Sequence, residues 1–376
     1  MTKEKYEEIV AYLRGVIQGT PWEGKVYTVG GCLRDALMGL DIHDVDLAVN
    51  TPNGGITFPI WLEQQGLTLS PPTLFKRFSS SRLHLKAFPD VEIEIVQTRR
   101  EQYTDENSRN PEVCFGSLKD DCERRDLTIN SLYQNVSTGE LLDITGRGVD
   151  DIKNHRIRTP MKPSDTYSDD PIRILRTLRF AVKYGWEVPD VLWEAMKENA
   201  GRMKIVRRPR VSTEFEKMLM SNDPVTLMKM MKDIGVIFRV IPELCHLYRI
   251  KDHTQRKELG PNAILPTLWD NTMQRLSEVV GSEEDSPIER YAALFSQFGK
   301  IRMPYPVVGK ALRRLMHDQE FIKSVKTRLS DEGVLNEPVE GSVPYNRRKG
   351  RKSKKRNTSE KKGVEKKFKS RKHRKK

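Results

Sequence analysis

The chain has 376 residues, enough for two or three domains with real cores, and a formal charge of +14 that points to a nucleic-acid partner. That charge is unevenly spread: residues 341–376 hold 18 Lys and Arg against 2 acids, leaving 48 basic and 50 acidic residues in the first 340. Four cysteines without C-x-x-C spacing imply neither a zinc site nor a disulfide framework, and the lack of a leader or a long apolar run predicts a soluble, cytoplasmic protein with no membrane partner.

Tyr6, Ile9, Val10, Leu13, Val16 and Ile17 recur at helical spacing and predict an amphipathic helix ending near Gly19. The apolar run 25–29 predicts a strand that ends on Gly30 and Gly31. A short helix with Arg34 and Asp35 follows, then a second apolar run holding Asp44 and Asp46. Residues i and i+2 of a strand share a face, so the two carboxylates project together and repel unless a cation lies between them. Hard oxygen donors of this kind suit Mg²⁺. The glycines let backbone amides approach an anion at a helix start. A wet strand edge would explain the two aspartates alone, but a phosphate seat beside a metal seat points to nucleotidyl transfer.

Residues 82–98 alternate around Pro89–Asp90 and predict a hairpin, with Glu92 and Glu94 on the face opposite Val91, Ile93 and Ile95. In 123–133, Arg124 and Arg125 suit bidentate phosphate contacts, while Asp126 and Asn130 lie four apart, on one face if the segment is helical. The stretch 168–186 predicts a helix capped by Asp169 or Asp170, with Pro171 in its first turn and Gly185 at its end. Arg173, Arg176 and Arg179 form a stripe along it, and Asp170–Arg173 has ion-pair spacing. From about residue 160 onward helical patterns dominate. The 336–376 tail lacks the apolar residues for a core and predicts disorder, with salt-sensitive attraction for RNA phosphates.

In combination, GG-x-x-RD, D-x-D, RRDLTINSLY, the SDDPIR block and R-x-x-x-E at Arg210–Glu214 follow one another across residues 20–240. This order resembles the class II tRNA nucleotidyltransferases and bacterial poly(A) polymerases, within the polymerase-β-like nucleotidyltransferases. The resemblance implies an α+β fold: a head with a small mixed sheet and helices (1–160), an all-helical neck (161–235) and body (236–335), and the tail. It implies that Asp44 and Asp46 bind metal, with Glu94 as a third carboxylate. Gly30, Gly31 and Arg34 would hold the triphosphate, with Asp35 orienting Arg34. Arg125, Asp126 and Asn130 would line the nucleotide pocket, Asp126 near the ribose.

Asp170 and Arg173 match the base-reading pair of an E-D-x-x-R motif in which Asp169 replaces Glu. A carboxylate accepting from an exocyclic amine beside a donating guanidinium would take CTP and ATP and reject UTP and GTP. Arg176 and Arg179 would face triphosphate or RNA, and Arg210–Glu214 would brace the neck. In the body, Asn271 and Ser296–Gln297 stand where HD-type relatives carry metal-binding His and His-Asp, which predicts no phosphohydrolase activity. The expected reaction is template-independent CCA addition to tRNA 3′ ends. A poly(A) polymerase, an A-only or C-only enzyme, and a catalytically silent RNA-binding protein are the alternatives; the retained Asp44 and Asp46 argue against the last.

Overall fold

The computed structural model describes residues 1–102, 112–260, 263–301 and 304–335; the basic tail lies outside them. Helix α1 (Lys3–Ile17) buries Tyr6, Ile9, Val10, Leu13 and Ile17 on one stripe. Then come β1 (Val26–Val29), α2 (Gly31–Met38), β2 (Val45–Val49), α3 (Gly54–Gln64), β3 (Thr73–Phe75), β4 (Ser80–Leu85) and β5 (Phe88–Gln97). The short ribbon β6 (Arg99–Gln102) and β7 (Glu112–Phe115), α4 (Leu118–Glu123), β8 (Tyr133–Asn135), β9 (Leu141–Leu142) and α5 (Gly148–Lys153) complete the α/β part.

The main sheet runs β3-β4-β5-β2-β1-β8-β9. Strands β2 and β5 are parallel and the other neighbours antiparallel, so the sheet is mixed. One face buries Leu47, Val49, Leu83, Leu85, Ile93 and Ile95 against α1, α2 and α3. Because side chains alternate, the opposite face carries Asp46, Glu92 and Glu94, while Asp44, expected in the same strand, immediately precedes β2. The predicted hairpin turn is displaced: Leu85 pairs with Phe88, so Lys86 and Ala87 make the turn. Pro89 and Asp90 lie inside β5, at the exposed start of the strand, where a missing amide costs no interior ladder bond.

Beyond β9 the named elements are helical: α6 (Pro163–Asp169), α7 (Ile172–Tyr184), α8 (Asp190–Asn199), α9 (Arg208–Leu219), α10 (Pro224–Ile234), α11 (Ile237–Val240), α12 (Arg256–Leu259), α13 (Leu268–Val279), α14 (Pro287–Phe295), α15 (Pro304–Arg314) and α16 (Gln319–Asp331). A second core runs through these helices and takes in Leu127, Ile129 and Ile157 from the α/β part. Gly185 ends α7 in the left-handed conformation at φ 68°, as its position predicts. The cap of α7 differs from expectation. Pro171 occupies it, Asp170 contributes only its carbonyl to the Arg173 amide, and its carboxylate turns to α9. In the body, Asn271 and Lys300 both donate to the buried carboxylate of Asp252, at 2.6 and 2.7 Å. No helix among the described residues is long and apolar enough to cross a membrane.

A candidate nucleotidyl-transfer cleft

Between the open face of the sheet and helices α7 and α9 lies a cleft of about 1050 Å³. Gly30, Gly31, Arg34, Asp44, Asp46, Arg125, Asp126, Asn130, Asp170, Arg173, Arg176 and Arg179 all line it. Glu94 is the expected site residue that does not.

Its acidic side is built by the strand–turn–helix unit. Gly30 takes φ 77°, so β1 can turn into α2 without a side chain in the way. A Cβ there would come within 3.1 Å of Asp46 Oδ2, and the Gly31 amide donates to the same carboxylate. Burial, with Asp44 and then Glu94 adding like charge, pushes the Asp46 carboxyl up to about 7. A carboxylate so destabilised among other oxygens, in no ion pair among the described residues and opposed only by the nearby charge of Arg125, is the donor chemistry a divalent cation satisfies. Glu94 faces Asp46 directly across the parallel pair, but its carboxylate is 36% exposed and lies 3.5 Å from Arg82.

The opposite walls are cationic, and their carboxylates are matched. Arg34 is clamped by both oxygens of Asp35, at 2.9 and 2.8 Å, and donates a third bond to Asn130 Oδ1. Its guanidinium lies 5.0 Å from the Phe180 ring centroid, and Tyr184 donates to Asp35 at 3.2 Å. Two of its five N–H groups are left for an anion by these bonds. Asn130 in turn donates to Asp126 at 3.0 Å, although the segment forms a 3₁₀ turn (Thr128–Asn130) and not an α-helix. Asp126 accepts from Arg176 at 2.7 Å, and Glu214 of α9 pairs with Arg179. Burial alone would raise the Asp126 carboxyl, but Arg176 holds it well below the usual range. Asp121 behaves likewise: burial is outweighed by Arg124 and Arg125. Arg125 is thereby spent on Asp121, Tyr133 and the Asn130 carbonyl.

The local Asp170–Arg173 ion pair that the spacing allows and the expected Arg210–Glu214 brace are both replaced. Arg210 reaches across to grip Asp170 with two bonds, at 2.6 and 3.2 Å, and Glu214 turns to α7. Arg173 donates to the carbonyls of Thr166 and Arg124. Interhelix approach decides this, since α7 and α9 lie side by side and place longer-range partners nearer than local ones. Sequence reading missed Arg77, Phe78, Phe180, Lys183 and Arg210 as cleft residues. Phe180 had a signal, since it follows Arg176 by four residues on α7.

Residues 26–158 match the poly(A) polymerase head-domain family, and residues 186–247 match the family described as the probable RNA and SrmB-binding site of polymerase A. A mitochondrial CCA tRNA nucleotidyltransferase of Saccharomyces cerevisiae is 34% identical over 54% of this chain and 40% of its own length. A tRNA nucleotidyltransferase of Schizosaccharomyces pombe is 29% identical over 66% of this chain and 51% of its own. The chain therefore spans about half or less of the curated relatives it matches. A solved tRNA-processing enzyme in an apo form shares the fold with a TM-score of 0.64 at 22% identity, over 88% of this chain and 79% of that one.

Proposed function

The chain belongs to the family of class II tRNA nucleotidyltransferases and poly(A) polymerases, and from that premise we propose that it adds CCA to tRNA 3′ ends from CTP and ATP without a template. The observation that carries this reading is the shared cleft. An unneutralised pair of aspartates beside a glycine turn faces an Asp–Arg set able to read a base edge.

Asp44 and Asp46 would hold a divalent cation, proposed to be Mg²⁺, which when bound lowers the pKa of an attacking hydroxyl and offsets charge on a leaving pyrophosphate. The amides at Gly30 and Gly31 and the free N–H groups of Arg34 would seat the triphosphate, with Asp35 and Asn130 fixing the guanidinium's plane. Glu94, one strand over from Asp46, would orient the RNA 3′-hydroxyl once released from Arg82. Asp170 would accept from the exocyclic amine shared by C and A, exchanging Arg210 for the base, while Arg173 donates beside it. Arg125, Asp126 and Asn130 would form the ribose side, and Arg176 and Arg179 the wall towards the phosphates. The basic tail would add contacts to RNA phosphates; truncation after Glu340 should flatten the salt dependence of RNA binding, and an unchanged slope would remove it from the interface.

The test is incorporation into tRNA ending at the discriminator base, with each nucleotide alone and together, read at single-nucleotide resolution. Arrest after three additions supports CCA synthesis. A long adenosine ladder means poly(A) synthesis instead, and no incorporation overturns enzymatic transfer.

A further inference from the structure

The cleft has one aromatic surface that the proposed chemistry does not use. Between β3 and β4 lies a single 3₁₀ turn, Lys76–Phe78, and two large rings there face solvent: Phe75, the last residue of β3, is 42% exposed and Phe78, in the turn, 44%. Arg77 and Phe78 both line the cleft, and the Arg77 guanidinium lies 5.8 Å from the Phe78 ring centroid.

The turn is firmly seated. Its last residue, Ser79, takes φ 44°, and its carbonyl accepts from the Gln97 amide at 3.0 Å. That carbonyl packs so closely on Gly55 that any Cβ there would fall 1.9 Å from it. Strand register places the turn beside the acidic face. Phe75 aligns with Ser80, Ser80 with Val96, and Val96 with Ala48, which shares the face of Asp46. Ser80, which follows the turn's cap residue Ser79, lies about 7 Å along β4 from Arg82, the cross-strand partner of Glu94. The acids on this edge, Glu92 and Glu94, are engaged by Arg82, which leaves Lys76 and Arg77 without an acidic partner among the described residues. Exposed rings at a seated turn, beside cations with no acidic partner among the described residues and on the carboxylate side of a cleft, match an unpaired nucleotide: its base stacks and its phosphate meets a cation.

We infer that the Arg77–Phe78 turn is the platform on which the terminal base of the RNA 3′ end stacks, opposite the helices that read the incoming nucleotide. The inference rests on the proposed transfer to RNA and assigns the primer side of that cleft. An aromatic platform tolerates either C or A as the terminal base, because every base presents a π-face.

The test pairs Phe78→Ala and Phe78→Tyr with two tRNA minihelices, one ordinary and one with an abasic 3′-terminal nucleotide. Stacking predicts that Phe78→Ala raises KM for the ordinary RNA about tenfold, leaves KM for CTP and ATP unchanged, and leaves the abasic RNA unaffected, while Phe78→Tyr behaves as wild type. Equal effects on both RNAs, or an unchanged KM for the ordinary one, would overturn it. Fluorescence anisotropy of both RNAs on wild-type and Phe78→Ala protein keeps the two readings apart. If no nucleotide is incorporated, the transfer reading fails, while binding affinity still decides whether the terminal base stacks on Phe78.

Discussion

Two sets of carboxylates stand in and behind the walls of the same cleft and are treated in opposite ways. Asp121, Asp126, Asp170 and Glu214, on the side of α4, α7 and α9, each lie on one or two arginines. Asp46 in β2 and Asp44 just before it form no ion pair among the described residues, and burial raises Asp46 although the charge of Arg125 opposes it. A matched carboxylate is a wall: its charge is already neutralised, and what it offers a ligand is a fixed surface. An unmatched one stores unfavourable free energy that only an added cation or a proton removes. The contrast separates the carboxylates that hold shape from those proposed to bind the cation.

The comparison breaks most visibly at Asp46. Asp46→Ala should lower kcat on the order of 10³-fold, as expected for loss of several kcal/mol of metal-borne charge stabilisation, with little loss of thermal stability. Paired kinetics and melting curves check it; retained turnover would place the metal elsewhere. Asp121→Ala should do the reverse in kind, destabilising the fold by about 3–5 kcal/mol because Arg124 and Arg125 lose a fully buried partner. Denaturant titration measures this directly.

The two sets should also respond to pH with opposite sign. In metal-free protein Asp46 has a folded value of about 7 against an ordinary 3.8, so its contribution is fullest below about pH 4 and is lost as pH rises through 7. Asp121 is held below its ordinary value, so its contribution is present above 3.8 and lost as pH falls towards its lowered value. Melting temperatures of Asp46→Asn and wild type, compared from pH 5 to 8 in chelator, should converge at the low end and diverge at the high end, and added divalent cation should close the gap. The smallest effect concerns Arg210, whose side chain is 54% exposed in its pair with Asp170. Arg210→Ala should change stability by less than about 1 kcal/mol yet alter the ratio of C to A incorporation. An unchanged ratio would leave Arg210 a brace only.

Local patterns made the acidic half of the cleft readable from sequence. The two-residue spacing put Asp44 and Asp46 side by side and the glycine pair marked the strand end next to them, and the structure brings all four residues to the cleft, with Asp44 just before β2 and not inside it. The α1 stripe and the Gly185 stop were legible for the same reason. The residues of the cationic half were legible too, but their pairing was not. Asp126 finds Arg176 fifty residues away, Arg179 finds Glu214 thirty-five away, and Arg210 displaces Arg173 as the partner of Asp170 over forty. Nothing in helical spacing decides between a neighbour one turn along and a guanidinium on another helix. Packing of α7 on α9 decides it, through one continuous apolar core. The chain's local periodicities thus determined which groups exist and which face each takes; only tertiary packing determined which charges are cancelled and which remain open to a ligand.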